Sequence, residues 1–321
     1  MERGLSKRDT EDGRWCSVYL YVDSSSSFAG DDCLNAVVSP IVQSGVGEGW
    51  LRRYFFVRYG EGGSHIRLRM FADNQRGTLR ALRLVAAEIA GARAGGRKGC
   101  PLRCRWVRYE PETRRYGGPS ALRVAEEFFN HSSATILTLL RPWSSSPLLR
   151  ARRLGQGLLL MLVLSHAAVT SANGVARFLE FYGQAYLHTF ARGPAAELWQ
   201  GEAMRGFEAQ EVTLVQYVHE TWARLSAGEE LTSALDRYRA ASQGYVRQLG
   251  DVLARGEGPV HGPKALTLTE TLQHCIPSLI HMTSNRLGLS IADEIYLSLL
   301  ASRSLVATQS AYEGAVPGRW T

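Results

Sequence analysis

The chain has 321 residues, of which 45% are hydrophobic and 21% are charged, and its formal net charge is +7. This composition is ordinary for a soluble globular protein, and the most apolar run, residues 157–164, is too short to span a bilayer. The positive charge suits a polyanion or an acidic peptide as partner. Nearly all of it is arginine, however, and a GC-rich genome produces the same bias.

The first fourteen residues and the cysteines bear on where the protein works. Residues 1–14 are charged and lack an apolar core, so we expect a loose tail and neither a signal peptide nor an anchor. Five cysteines at scattered spacing predict reduced thiols in the cytoplasm. No glycine-rich phosphate loop, HExxH motif or paired-cysteine pattern is present, so no cofactor or metal is expected.

Residues 15–118 have the pattern of an α+β unit. The predicted elements are a strand (15–22), a helix (31–42), two hairpin strands (54–59 and 65–71), a helix (74–92) and a last strand (103–109). In the second hairpin strand His65, Arg67 and Arg69 alternate with apolar residues and therefore share one face. That row is either an anion-binding surface or the ordinary solvent face of a half-buried sheet.

A charged joint follows the last strand. Residues 109–118 hold four ionisable side chains and end in Gly117 and Gly118, which provide a sharp turn. A joint between two rigid elements is a common place for chemistry, and a solvated capping loop is the other interpretation. The ionisable residues are Glu110, Glu112, Arg114 and Arg115.

Residues 119–321 show helical periodicity without a strand pattern. The predicted helices cover 119–140, 147–170, 175–190, 206–226, 231–254, 266–287 and 291–307. We therefore predict an α+β fold in which a mixed sheet with crossing helices packs on an all-helical C-terminal half, as a single domain over residues 15–321. His281 and Asn285 share one face of a late helix, where the histidine is either structural or completes a site with the arginine-bearing strands.

Three stretches together resemble the C-terminal elimination domain of LanB-type lantibiotic dehydratases. They are HIRLR (65–69), YEPETRRYGG (109–118) with the helix after it, and HMTSNRLG (281–288), and the resemblance covers the chain from about Trp15. The same domain also occurs alone as a thiopeptide-type bacteriocin biosynthesis protein. The resemblance implies a lyase that eliminates glutamate from glutamylated Ser or Thr of a precursor peptide, leaving dehydroalanine or dehydrobutyrine.

The resemblance also assigns roles to five residues. It implies that Arg67 and Arg69 hold the glutamyl group and stabilise the enolate that forms when the α-proton leaves. It matches Glu112 and Arg115 to the acidic and basic members of the family's joint. His281 matches its C-terminal histidine, which donates or accepts a proton.

Three further residues are expected to bind substrate, and two positions depart from the family pattern. The expected binding residues are His65, Asn285 and Arg286. Arg114 stands where many members have an acidic residue, and His131 stands where an aspartate commonly precedes serine. Both departures could change which substrate charges are preferred.

Two alternatives remain beside the lyase. A thiopeptide pyridine synthase of the same fold joins two dehydroalanines by a formal aza-[4+2] cycloaddition and releases the leader, and retention of all five residues favours the lyase over it. A non-catalytic peptide- or RNA-binding subunit is supported poorly, because the basic face lacks interleaved aromatic residues.

The expected partners follow from the resemblance. They are the precursor peptide, a separate tRNA-dependent glutamylating enzyme, because the chain holds no glutamylating domain, and a second copy in a homodimer. No membrane and no direct nucleic-acid contact are expected.

Overall fold

Residues 14–23, 25–26, 28–141, 149–191, 193–261 and 264–314 are described by the computed structural model. The chain divides into two units, the first formed by residues 1–111 and 132–146 and the second by residues 112–131 and 147–321. Helix α4 (Pro119–Leu140) contributes to both. The single domain expected from sequence stays a prediction.

The first unit is built on a four-stranded sheet. Its strands are β1 (Arg14–Tyr21), β2 (Leu51–Tyr59), β3 (His65–Ala72) and β4 (Arg103–Val107), in the order β2-β3-β1-β4. The α+β class is confirmed, but all pairings among these strands are antiparallel, so the expectation of a mixed sheet is corrected. Each helical crossover joins two parallel strands that have a third strand between them, which is the split βαβ arrangement.

Helices cover one face of this sheet. They are α1 (Ala29–Cys33), which continues through a π-helical turn (Leu34–Val38) into α2 (Ser39–Gly47), and α3 (Gln75–Ala94). Val18, Leu20 and Leu68 alternate along β1 and β3 and are fully buried. Because side chains of a strand alternate between faces, Tyr19 and Arg67 stand on the opposite face.

The second unit is mainly helical. Its further helices are α5 (Leu149–Ala168), α6 (Ala172–Phe190), α7 (Pro194–Ala227), α8 (Ser233–Ala254), α9 (Leu268–Leu287) and α10 (Ile291–Gly314). None of the described helices is by itself long and apolar enough to cross a membrane, although α5 and α6 would qualify as a pair bent by 118°.

Two details of this unit correct the sequence prediction. Helix α7 begins at Pro194 and not at residue 206, and its backbone is non-helical at Gln210. The half is also not all-helical, because β5 (Val260–His261) and β6 (Lys264–Ala265) form a short antiparallel ribbon. Strands of two residues are too short to show an alternating pattern.

Close packing of α6 against α10 depends on Gly183. A Cβ added there would lie 2.5 Å from Ser298 Oγ and 3.0 Å from Leu299 Cδ2. We expect Gly183→Ala to lower the free energy of unfolding in urea by about 1–3 kcal/mol, because either the two helices or these side chains must shift.

A matched control is Gly91→Ala on the exposed side of α3. A Cβ at Gly91 would meet nothing within 4 Å, so this change should raise the free energy of unfolding by about 0.5–1 kcal/mol. Equal stability changes in the two variants would contradict a packing role for Gly183.

Candidate functional site

The charged joint is tied to α9 through one arginine. Glu112 precedes a 3₁₀ turn (Thr113–Tyr116), and Gly117 ends that turn with φ +84°, a left-handed conformation that favours glycine. Arg115 Nη1 donates to Glu112 Oε2 at 3.0 Å, and Arg115 Nε donates to the hydroxyl of Ser278 on α9 at 3.0 Å. These bonds fix the direction of the guanidinium.

His281 lies one turn after Ser278 and meets a buried carboxylate. Its Nδ1 is 3.1 Å from both oxygens of Glu294, in the first turn of α10, so the ring donates from Nδ1. The Glu294 side chain is 1% exposed, whereas that of His281 is 18% exposed. Tyr182 on α6 donates its phenol proton to Glu294 Oε2 at 2.7 Å. No described residue hydrogen-bonds the other ring nitrogen of His281, Nε2.

Burial and neighbouring groups shift the pKa values of Glu294 and Tyr182. Burial raises the pKa of Glu294, and the hydrogen bonds from His281 and Tyr182 oppose that rise. Burial, and then the neighbouring Glu294 carboxylate, raise the pKa of Tyr182 well above its usual range, so this phenol remains a donor at neutral pH. A histidine whose Nδ1–H is held by a carboxylate has a fixed tautomer and a stabilised imidazolium.

Tyr186 connects the joint with the histidine. Its ring centroid is 4.4 Å from that of Tyr182 and 5.8 Å from that of His281. Burial and then Glu294 raise the pKa of Tyr186, while the Arg115 guanidinium lowers it, so the phenol lies under the influence of both groups. The second unit thus gathers a guanidinium, two phenols, a carboxylate and an imidazole into one cluster.

The predicted arginine row of the first unit is embedded in aromatic rings. The Arg67 guanidinium carbon is 3.3 Å from the ring centroid of Tyr59 and 4.6 Å from that of Tyr19. Arg67 Nε donates to His65 Nε2 at 3.1 Å, and His65 Nδ1 donates to the carbonyl of Gly63 at 2.7 Å. Burial lowers the pKa of His65, although the Gly63 bond opposes this, so the ring acts as a neutral acceptor for Arg67.

Arg69 continues the row between other rings. Its guanidinium carbon is 4.8 Å from the ring centroid of Tyr109 and 5.2 Å from that of Phe55. Arg103 on β4 stacks on Tyr21 at 3.9 Å. The expectation of a basic face without interleaved aromatic residues is therefore wrong. Apart from Tyr109, which follows β4, the rings come from β1 and β2, and the strand register brings them beside the arginines of β3 and β4.

Residues 15–305 match the family model described as "Lantibiotic biosynthesis dehydratase C-term". The chain belongs to this family. Its fold is shared by the tRNA-dependent lantibiotic dehydratase MibB from Microbispora sp. 107891 (TM-score 0.66, 18% identity), by TsrL (0.69, 15%) and by TbtD, a pyridine synthase from thiomuracin biosynthesis (0.70, 14%). None of the curated proteins matches the chain in sequence.

The lengths of these three structures differ. The alignments to MibB, TsrL and TbtD cover 96%, 96% and 93% of this chain, respectively. The chain spans only 29% of MibB, but all of TsrL and 99% of TbtD. At identities this low the likeness establishes a common fold and leaves the reaction to be argued from the residues.

The three residues that were expected to bind substrate are buried or partly buried. Arg286 is 0% exposed, and its guanidinium carbon lies 4.8 Å from the ring centroid of Phe129, so it has no surface to offer a ligand. His65 is 2% exposed and is placed to orient Arg67. Asn285 is partly buried on α9. Asn285 is the most accessible of the three, and the expectation that all three bind substrate stays a prediction.

Sequence reasoning missed Glu294, Tyr182 and Tyr186. Acidic residues in the first turn of a helix are common because they complement the helix dipole, so Glu294 carried no special signal. Two tyrosines four residues apart resemble core packing. Within the described residues, no group of three or more His, Cys, Asp or Glu side chains could hold a metal ion.

Proposed function

We propose that the protein is a lyase that eliminates glutamate from glutamylated Ser or Thr residues of a precursor peptide. The family supports a role in peptide dehydration. The observation that carries the finer proposal is the His281–Glu294 pair, with Arg115 held nearby through Ser278. An elimination needs a proton-transfer group and fixed cations, and both are built into this chain.

The reaction requires one proton transfer and one leaving group. A base takes the α-proton, the electrons of the Cα–H bond form the Cα=Cβ double bond, and the Cβ–O bond breaks to release glutamate as a carboxylate. His281, oriented through Nδ1 by Glu294, transfers the proton at Nε2. Negative charge develops on the peptide carbonyl as the proton leaves, and a guanidinium that binds this oxygen lowers the energy of the enolate.

The arginines suit both tasks. A guanidinium binds a carboxylate through two parallel hydrogen bonds, and Arg67 and Arg69 are held in fixed directions by the rings around them. We assign these two to the glutamyl group and to the enolate. Glu112 sets the orientation of Arg115 and has no separate chemical step in this scheme.

A pyridine synthase is the second candidate, and one observation favours it. The fold is shared with the pyridine synthase TbtD over 93% of this chain, with a TM-score of 0.70. That reaction would use a peptide that already contains dehydroalanine and would have no glutamyl group to bind. The arginine row and the proton-transfer pair favour the lyase. Because elimination requires a glutamylated side chain, we also infer that a glutamylation step precedes it.

Elimination is tested by incubating the purified protein with a glutamylated precursor peptide and following the peptide mass. We expect loss of glutamic acid and formation of dehydro residues, with the rate strongly reduced in His281→Ala. His188→Ala is the control, since His188 is exposed on α6, outside the cluster. An untouched glutamylated peptide, together with ring formation and leader release from a dehydroalanine peptide, would establish the pyridine synthase instead.

A further inference from the structure

The two edges of the sheet in the first unit are very different. At the β2 edge, Tyr54, Phe55, Phe56 and Val57 are buried, and the amide of Phe56 donates to the hydroxyl of Ser133 at 3.3 Å. That edge is covered. At the other edge lies β4, which pairs with β1 on one side and, among the described residues, with no strand on the other.

Strand β4 is exposed on both faces. On the helix-covered side of the sheet, Leu102 just before β4 is 66% exposed and Trp106 is 37% exposed, with the exposed thiol of Cys104 between them. On the opposite face Arg103 and Arg105 are exposed. An open edge with an apolar row on one side and a cationic row on the other presents unpaired backbone groups to a further strand.

The charged side chains of the β4 segment itself have one sign, and Asp32 on α1 lies beside Gly99 and Lys98. Residues 97–108 contain the cations Arg97, Lys98, Arg103, Arg105 and Arg108 and no carboxylate. Arginines on an edge strand discourage pairing with another copy of the same strand, because the like charges would face each other. They favour a strand that places carboxylates opposite them, so charge complementarity selects an acidic partner.

We propose that β4 is a docking edge to which an acidic, extended segment of the peptide substrate adds as a fifth strand. Backbone hydrogen bonds to β4 hold the segment, its acidic side chains meet Arg103 and Arg105, and its alternate apolar side chains pack on Leu102 and Trp106. The occupant's identity as the substrate rests on the proposed function, whereas the strand addition rests on the edge itself. Docking of this kind would hold the peptide independently of the residue that reacts.

Cys104 provides a probe of this edge. A short peptide of alternating glutamate and valine should slow alkylation of Cys104 in the full-length protein, while alkylation of the partly buried Cys100 should be unaffected. A peptide with lysine for every glutamate should not protect, and a glutamate peptide with alternate valines replaced by proline should not protect either, because proline cannot donate to a strand ladder.

A charge reversal sharpens the test. The double variant Arg103→Glu/Arg105→Glu should bind the glutamate peptide about tenfold more weakly and gain affinity for the lysine peptide. The double variant Arg80→Glu/Arg83→Glu changes the net charge equally on the exposed side of α3 and should retain wild-type preference. Equal protection by both peptides, or loss of binding in the α3 variant as well, would overturn the proposal.

The test separates this proposal from the lyase. Protection of Cys104 needs no turnover. If the peptide protects Cys104 but the protein eliminates no glutamate, the docking edge is supported and the proposed reaction is refuted. If the protein eliminates glutamate but the peptide does not protect Cys104, the proposed reaction is supported and the docking edge is refuted. Protection of Cys104 that increases with protein concentration and needs no peptide would show that a second copy covers β4, which also overturns the proposal.

Discussion

Alanine in place of His281 is expected to slow glutamate elimination by about two to four orders of magnitude, the usual contribution of a positioned proton-transfer group. The effect should fall on kcat, because the imidazole acts in the step that moves the proton. The kcat of Glu294→Gln should lie between that of His281→Ala and that of the wild type. Glutamine can still accept the Nδ1 hydrogen bond, but it has no charge to stabilise the imidazolium. Single-turnover rates on a glutamylated peptide measure both.

The pH profile distinguishes catalysis from mere packing. Burial raises the pKa of Glu294, so as the pH falls the carboxylate is protonated earlier than an exposed one, and His281 loses its charged partner. The rate should therefore decline on the acid side, and Glu294→Gln should remove that ionisation. Tyr182→Phe removes a hydrogen bond that lowers the pKa of Glu294, so the acid limb should move to higher pH. An identical acid limb in all three proteins would contradict the role given to this pair.

The sequence predicted the elements that have strong local signals. Helix α4 was placed at its observed bounds, since Pro119 suits a first helical position and the two glycines before it stop any preceding structure. The hairpin of β2 and β3 was found from its glycine-rich turn, although β2 begins at Leu51, three residues before the predicted start. The β5–β6 ribbon was missed because strands of two residues are too short to show alternation.

The candidate site was predicted less completely than the fold, for a physical reason. Alternation along one strand is enough to place Arg67 and Arg69 on a common face. The ring that stacks on Arg67 most closely comes from β2, and the carboxylate that binds His281 comes from a different helix. Such partners are set by strand register and helix packing, which depend on the whole chain and not on a local period.

Arg67→Ala is the second change with a large expected effect. We expect kcat to fall by about 10²- to 10³-fold, because removing one preorganised donor from a developing negative charge typically costs that much. Arg67→Lys should recover little of the lost kcat. A lysine ammonium can neither stack flat on Tyr59 at 3.3 Å nor present a fork to a carboxylate while bonded to His65.

The matched control for this change is Arg53→Ala. Arg53 also stacks on an aromatic ring of the same sheet, with its guanidinium carbon 4.5 Å from the ring centroid of Phe71, but it is outside the predicted row. Both variants lose a cation–π contact, so their stability changes should be similar. Only Arg67→Ala should lose elimination, and equal activity in the two would remove Arg67 from the reaction.

Free glutamate separates the lyase from the pyridine synthase at the same residue. Glutamate is the product of elimination, so it should compete with the glutamylated peptide in the wild type, and this inhibition should weaken in Arg67→Ala because the carboxylate loses its bidentate partner. Tyr59→Leu should give an intermediate result, since it leaves the guanidinium in place but removes the ring that fixes its direction. A pyridine synthase acting on dehydroalanines has no glutamyl group to recognise. Glutamate should then have no effect on either protein, and the arginine row would have to be assigned to the peptide backbone instead.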